Sequence, residues 1–177
     1  MAMVGLFWIA EGDVYVGAKP FGATRGVRLT SEGVVALGEG QSGLYLWEDV
    51  HALTVADAPV RSLLRRVGAV TNVALHMAMN AAAMDTVPDR ATDTPPTLMV
   101  GVETPDGAHE LTAYVAAANG YSQTEIDLSR ALLSRLTEGA ATMATTLAAM
   151  AEWGRAWEDG SPRSAERERL LREWVDR

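Results

Sequence analysis

Cysteine is absent from the 177 residues of this chain. Disulfides, thiol nucleophiles and thiolate metal ligands are therefore excluded. Lysine is nearly absent as well, Lys19 being the only one among 15 basic residues, which face 23 acidic ones and leave a formal net charge of -8. A chain so acidic carries no basic nucleic-acid footprint and is repelled by anionic bilayers. No nucleic-acid partner is expected, and a membrane-surface partner is disfavoured. Long apolar runs are missing too. The longest uncharged stretch, Val67 to Met84, is interrupted by Thr71, Asn72, His76 and Asn80, and it falls short of the roughly 20 apolar residues a membrane span needs. The first ten residues lack a basic n-region and lead into Glu11 and Asp13, unlike a secretory signal. The expected location is cytoplasmic.

Catalytic motifs are also lacking. No serine sits in G-x-S-x-G, the glycines of residues 38–43 are not followed by Gly-Lys-Ser/Thr, and His51, His76 and His109 show no HExxH spacing. No catalytic residue, metal ligand or cofactor is expected on these grounds.

What is present is an ordinary globular balance, with 48% hydrophobic and 21% charged residues. The first third reads as short strands. Val4 to Ala10 is an apolar run, Glu11-Gly-Asp13 a turn, and Val14 to Val16 resumes the strand. After a loop over Lys19 to Gly26, Val27–Thr30 and Val34–Leu37 flank Ser31-Glu-Gly33, a tight connection in which Gly33 is expected at positive φ. Glycine-rich residues 39–43 lead to Leu44–Trp47, and another strand follows over Val50–Val55. Such spacing predicts an antiparallel meander.

From Val60 to Met84 the period becomes helical, after Pro59. Residues 85–97 are rich in proline, threonine and aspartate and read as a loop. Leu98–Glu103 and His109–Val115 alternate cleanly about Thr104-Pro-Asp-Gly107, a turn in which proline presets φ and glycine accepts positive φ. Ser122-Gln-Thr-Glu125 is a capping box before a helix with Ile126, Leu132, Leu133 and Leu136, ended by Gly139. Two more helices are expected, from Ala140 to about Trp157 and, capped by Ser164, over Ala165–Val175.

Gly26-Val-Arg-Leu-Thr-Ser-Glu-Gly-Val-Val35, followed by Trp47-Glu-Asp-Val50 and a strand, resembles the strand–turn–strand and W-x-D-V/I step of bacterial pleckstrin-homology-like domains, including the GRAM branch. The whole chain is similar to small actinobacterial proteins. The resemblance spans roughly residues 4 to 137 and implies an α+β fold of antiparallel sheets closed by a helix. The expected organisation is a pleckstrin-homology-like domain over 1–138, with a helical insertion at 60–84 and a loop at 85–97, then a helical C-terminal extension over 139–177.

Function is expected to be binding. The leading reading is a non-enzymatic module or adaptor for a protein or peptide partner, using exposed sheet edges. A second reading is an anionic lipid or phosphate headgroup sensor in the 19–28 loop. The resemblance implies phosphate-gripping basics there, at Lys19, Arg25 and Arg28, although their spacing departs from the family's and solvated loop charges are the plainer account. A third is an enzyme or ligand pocket between sheet and helix, with His51 or His109. Asn72, His76, Met77, Met79, Asn80 and Met84 are interface candidates on the 60–84 helix, which could pack on a sheet or form a homodimer.

Overall fold

The computed structural model describes residues 1–61 and 95–177. The interface candidates Asn72, His76, Met77, Met79, Asn80 and Met84, and nearly all of the expected 60–84 helix and 85–97 loop, lie outside the described residues.

The described part is α+β, with two antiparallel sheets and three helices. The first sheet is a meander of β1 (Ala2–Val4), β2 (Phe7–Ala10), β3 (Asp13–Val16), β4 (Gly26–Leu29), β5 (Gly33–Leu37) and β6 (Gly43–Leu46), in that order. Ile9, Val14, Leu29 and Val34 stand opposite one another across four strands and are all buried. A one-residue slip of any strand would turn this row to the other face, so the alternation fixes the register.

The second sheet is β7 (Ala52–Ala56), β8 (Thr97–Thr104) and β9 (Gly107–Tyr114). Leu53 and Val55, Leu98, Val100 and Val102, and Leu111 and Ala113 form its dry face. The β8–β9 hairpin turns as its sequence predicts, with Thr104 opposite Gly107 and Gly107 at φ 134. The sheets meet where the end of β3 reaches β9. Ala18 N–H donates to Tyr114 O at 2.7 Å. Gly17, at φ 81, must be glycine there, because a Cβ would overlap that same carbonyl.

Three helices follow: α1 (Gln123–Leu136), α2 (Ala140–Ala156) and α3 (Ser164–Val175). The capping box of α1 is complete: Glu125 N–H donates to Ser122 Oγ at 3.1 Å, and Ser122 N–H to Glu125 Oε2 at 2.8 Å. Glu125 is fully buried, and its carboxylate also takes the Arg167 guanidinium of α3 and, at 3.8 Å, that of Arg61. A buried carboxylate needs such partners, since desolvation alone would cost several kcal/mol. Arg61 is further fixed by its N–H donating to Tyr121 O at 2.9 Å. Helix α2 lies on β2 at the bare backbone of Gly154, which leaves room for Ile9. Met143, Met150, Leu171 and Trp174 join the same core as the sheets, so the C-terminal helices pack on their own chain.

Four local expectations are corrected. The run Val4–Ala10 is not one strand, because Gly5 at φ 57 and Leu6 turn the chain between β1 and β2. Gly33 does not take positive φ; it is glycine because a Cβ would overlap Tyr45 O of the neighbouring strand. Ser164 is the first residue of α3 rather than its cap. Arg163 occupies the cap position without a side-chain bond. Gly139 stands at the start of α2, and Thr137 closes α1.

Candidate functional site: an open edge beside the 38–45 turn

A sheet edge presents unpaired main-chain donors and acceptors, and a folded protein covers them or uses them. The two sheets have four edges. At β1, Ala2, Met3 and Val4 are buried and Met3 N–H donates to Ser161 Oγ at 2.9 Å. At β7, Arg130 Nε donates to Val55 O at 3.1 Å, and Leu53 and Val55 are only 4% and 5% exposed. Both of these edges are covered. At β6 the edge is exposed, with Leu44 and Leu46 showing 46% and 39% of their surface.

The β9 edge is divided. Val115 N–H donates to Pro96 O, which places the odd-numbered positions of β9 in the ladder with β8 and turns the main-chain groups of Tyr114, Thr112, Glu110 and Ala108 outward. Tyr114 O is taken by Ala18. Thr112 is taken by a side chain: Gln41 Oε1 accepts from Thr112 N–H, and Gln41 Nε2 donates to Thr112 O, both at 2.8 Å. The same Nε2 lies 3.1 Å from Gly26 O and 3.2 Å from Leu37 O, at the last pair of the β4–β5 ladder. Three carbonyl acceptors fix which end of the amide is nitrogen. Beyond Gln41, Glu110 and Ala108 are exposed, and among the described residues no hydrogen bond reaches their outward main-chain groups.

These two residues border a groove of about 570 Å³, lined by Gly38, Gly40, Gln41, Ser42 and Tyr45 on one side and by Ala108 to Leu111 on the other. Tyr45 packs on the His109 ring, with centroids 4.8 Å apart and planes at 46°. His109 Nε2 is 3.3 Å from Thr104 Oγ1. The wall at 38–40 is built by glycines for a reason. Gly38, at φ 101, abuts Thr24 O, and Gly40, at φ 76, abuts the Arg25 guanidinium.

The three basic residues predicted to grip anions have separate surroundings. Lys19 Nζ pairs with Glu11 at 3.9 Å, and Arg28 Nη1 with Asp13 at 3.9 Å on the face of β4. Arg25 instead donates through Nε to Glu39 O at 2.9 Å, which brings it beside Gly40 at the groove. A second hollow of about 330 Å³ lies between β7 and α1. It lies between sheet and helix, and among the described residues Arg130 is the only ionisable one lining it. His51 is exposed before β7 and does not line either hollow. Among the described residues no group of three or more His, Asp or Glu could hold a metal ion, and no helix is long and apolar enough to cross a membrane.

Sequence reasoning missed Gln41. Comparison of the chain with protein-family models, curated proteins and solved structures returned no match.

Proposed function

We propose that this chain is a non-enzymatic binding module that takes an extended segment of a partner protein as an added strand on β9. The observation that carries the reading is the Gln41 amide. It meets the outward N–H and C=O of Thr112 as a neighbouring peptide group would, so the edge has the geometry and the space for an extra strand. One step further along, Glu110 and Ala108 offer the same pairs of groups to the groove of about 570 Å³. Main-chain bonds of this kind supply affinity, and pockets for alternate side chains supply selectivity. Tyr45 and His109 form the aromatic part of that surface. The domain is read as pleckstrin-homology-like, which the meander, the second small sheet and the helix α1 packed against β7 support.

A phage-displayed random peptide library, selected on the intact chain, tests the reading. Glu110→Pro removes an outward N–H while leaving the β8 ladder intact, since proline is tolerated where the donor faces away from the sheet. Peptides selected on the native chain are expected to lose binding to Glu110→Pro. Selection that enriches nothing, or peptides indifferent to the proline, would overturn the proposal.

A further inference from the structure

The groove has a chemical bias at one wall. Resting on the strand-addition reading, we infer that the partner segment carries a carboxylate side chain, aspartate or glutamate, and that Arg25 receives it across Gly40.

Arg25 differs from its basic neighbours. Lys19 and Arg28 each have a carboxylate, at Glu11 and Asp13, whereas among the described residues no carboxylate pairs with Arg25. Among the described residues its one bond is through Nε, to Glu39 O. That bond holds the plane of the guanidinium and leaves both terminal nitrogens for another acceptor. A guanidinium so held matches a carboxylate with two parallel bonds and loses little side-chain freedom in making them.

The wall between Arg25 and the groove is Gly40, and a Cβ on that residue would stand 3.1 Å from Arg25 Nη2. Arg25 does not itself line the groove; its guanidinium flanks Gly40, which does. Gly38 lines the groove as well, with its bare Cα against Thr24 O and Arg25 Cα. Among the described residues Glu110 is the one carboxylate or guanidinium lining the groove itself, and its side chain alternates to the sheet face opposite that of Leu111. A strand passing Gly40 therefore meets positive charge on that wall, against a chain whose net charge is -8. The contrast selects the position of the acid within the segment, since elsewhere the surface repels it.

The peptide selection is run in parallel on the native chain, Arg25→Glu, Gly40→Asp, Lys19→Glu and Glu110→Pro. Gly40→Asp is the second route to the same end: it sets a carboxylate on the guanidinium from within, and aspartate tolerates the left-handed backbone. Each variant's urea midpoint is measured first, to show that it folds. Native-selected peptides are expected to share Asp or Glu at one fixed position of an otherwise strand-forming run. They should bind Arg25→Glu and Gly40→Asp about tenfold or more weakly, in line with the loss of a charge-assisted pair, and bind Lys19→Glu unchanged. Arg25→Glu should select Lys or Arg at the same position. Peptides that are lost on Glu110→Pro yet show no acidic position, or ignore both Arg25→Glu and Gly40→Asp, would overturn the carboxylate inference and leave strand addition standing. Failure to enrich any peptide would overturn both. Binding of phosphatidylserine vesicles that Arg25→Glu abolishes, with no acidic position in the peptides, would assign Arg25 to a membrane surface instead.

Discussion

Gln41 and Thr112 are joined as two strands are joined, by one bond in each direction, although they stand 71 residues apart and one of the two contributes only its side chain. The amide closes the seam between the sheets, bridging Thr112 of β9 to Gly26 O and Leu37 O at the end of the β4–β5 ladder.

Removing that amide separates the sheets at their corner. Gln41→Ala is expected to lower unfolding stability by about 2 kcal/mol, the sum of a few net hydrogen bonds at about 0.5–1.5 kcal/mol each. Gln41→Glu should be worse than Gln41→Ala despite its shape, because a carboxylate would face the carbonyls of Gly26, Leu37 and Thr112 in place of a donor. Urea titrations of both variants check the order; the reverse order would show that the amide does not hold the seam.

At the other end of the molecule, Glu125 and Arg167 form a buried ion pair. Among the described residues, Arg167→Met leaves Glu125 with the half-exposed Arg61 as its charge partner, and it also leaves Pro162 O without its donor. The expected loss is about 3–5 kcal/mol, the range for breaking one side of a buried pair. Replacing the glutamate as well, as Glu125→Gln with Arg167→Met, should recover part of that loss, and a denaturation cycle over the four proteins measures the coupling.

Gly154 poses a contest of signs. Alanine favours a helix interior by about 1 kcal/mol over glycine, yet a Cβ at this position would overlap Ile9 Cγ2, and Ile9 is fully buried and stiff at χ1. Overpacking costs about 1–3 kcal/mol, so Gly154→Ala is expected to destabilise. Combined with Ile9→Ala, which removes the obstructing methyl, the same change should be less harmful or favourable. Thermal midpoints of the single and double variants decide it.

Tyr121 sets the alkaline limit. Burial pushes its phenol up to about 12 from an ordinary value of 10.0, and Glu125 nearby adds to the rise. The unfolded chain thus gives up this proton first. Stability is complete below pH about 10, falls as pH rises towards about 12, and the loss amounts to about 2–3 kcal/mol. Tyr121→Phe should flatten this limb while lowering stability at neutral pH, because Ala116 N–H loses its acceptor, the Tyr121 hydroxyl at 3.0 Å. Unfolding curves over that pH range, with tyrosinate absorbance as the probe of ionisation, test the sign.

Much of this architecture is written in local patterns. Two-residue alternation located β8 and β9, and Pro105 with Gly107 located their turn, because a half-dry sheet demands those residues in that order. Ser122 and Glu125 announced the start of α1. What the patterns do not carry is distance. Nothing around Gln41 says that a polar residue in a glycine-rich turn reaches β9. The capping box names Glu125 but not Arg167, 42 residues on, which makes its burial tolerable. The β1–β2 hairpin was masked by an unbroken apolar run, where Gly5 was the one available signal. For the groove, sequence supplied Arg25 as a charge and left its difference from Lys19 and Arg28 invisible, since that depends on which acids the fold brings near.

The β7–β8 pairing has a consequence for how the gene can be altered. Ala56 stands opposite Met99, so everything between them departs from and returns to the same point in a ladder. Loop-closure entropy grows by only about 0.6 kcal/mol per doubling of length. The described residues flanking that span are themselves tied down, Pro59 and Arg61 by main-chain bonds to Tyr121 and Pro96 by one to Val115, so both ends of the pairing are anchored and a change in the length that separates them costs little loop-closure entropy.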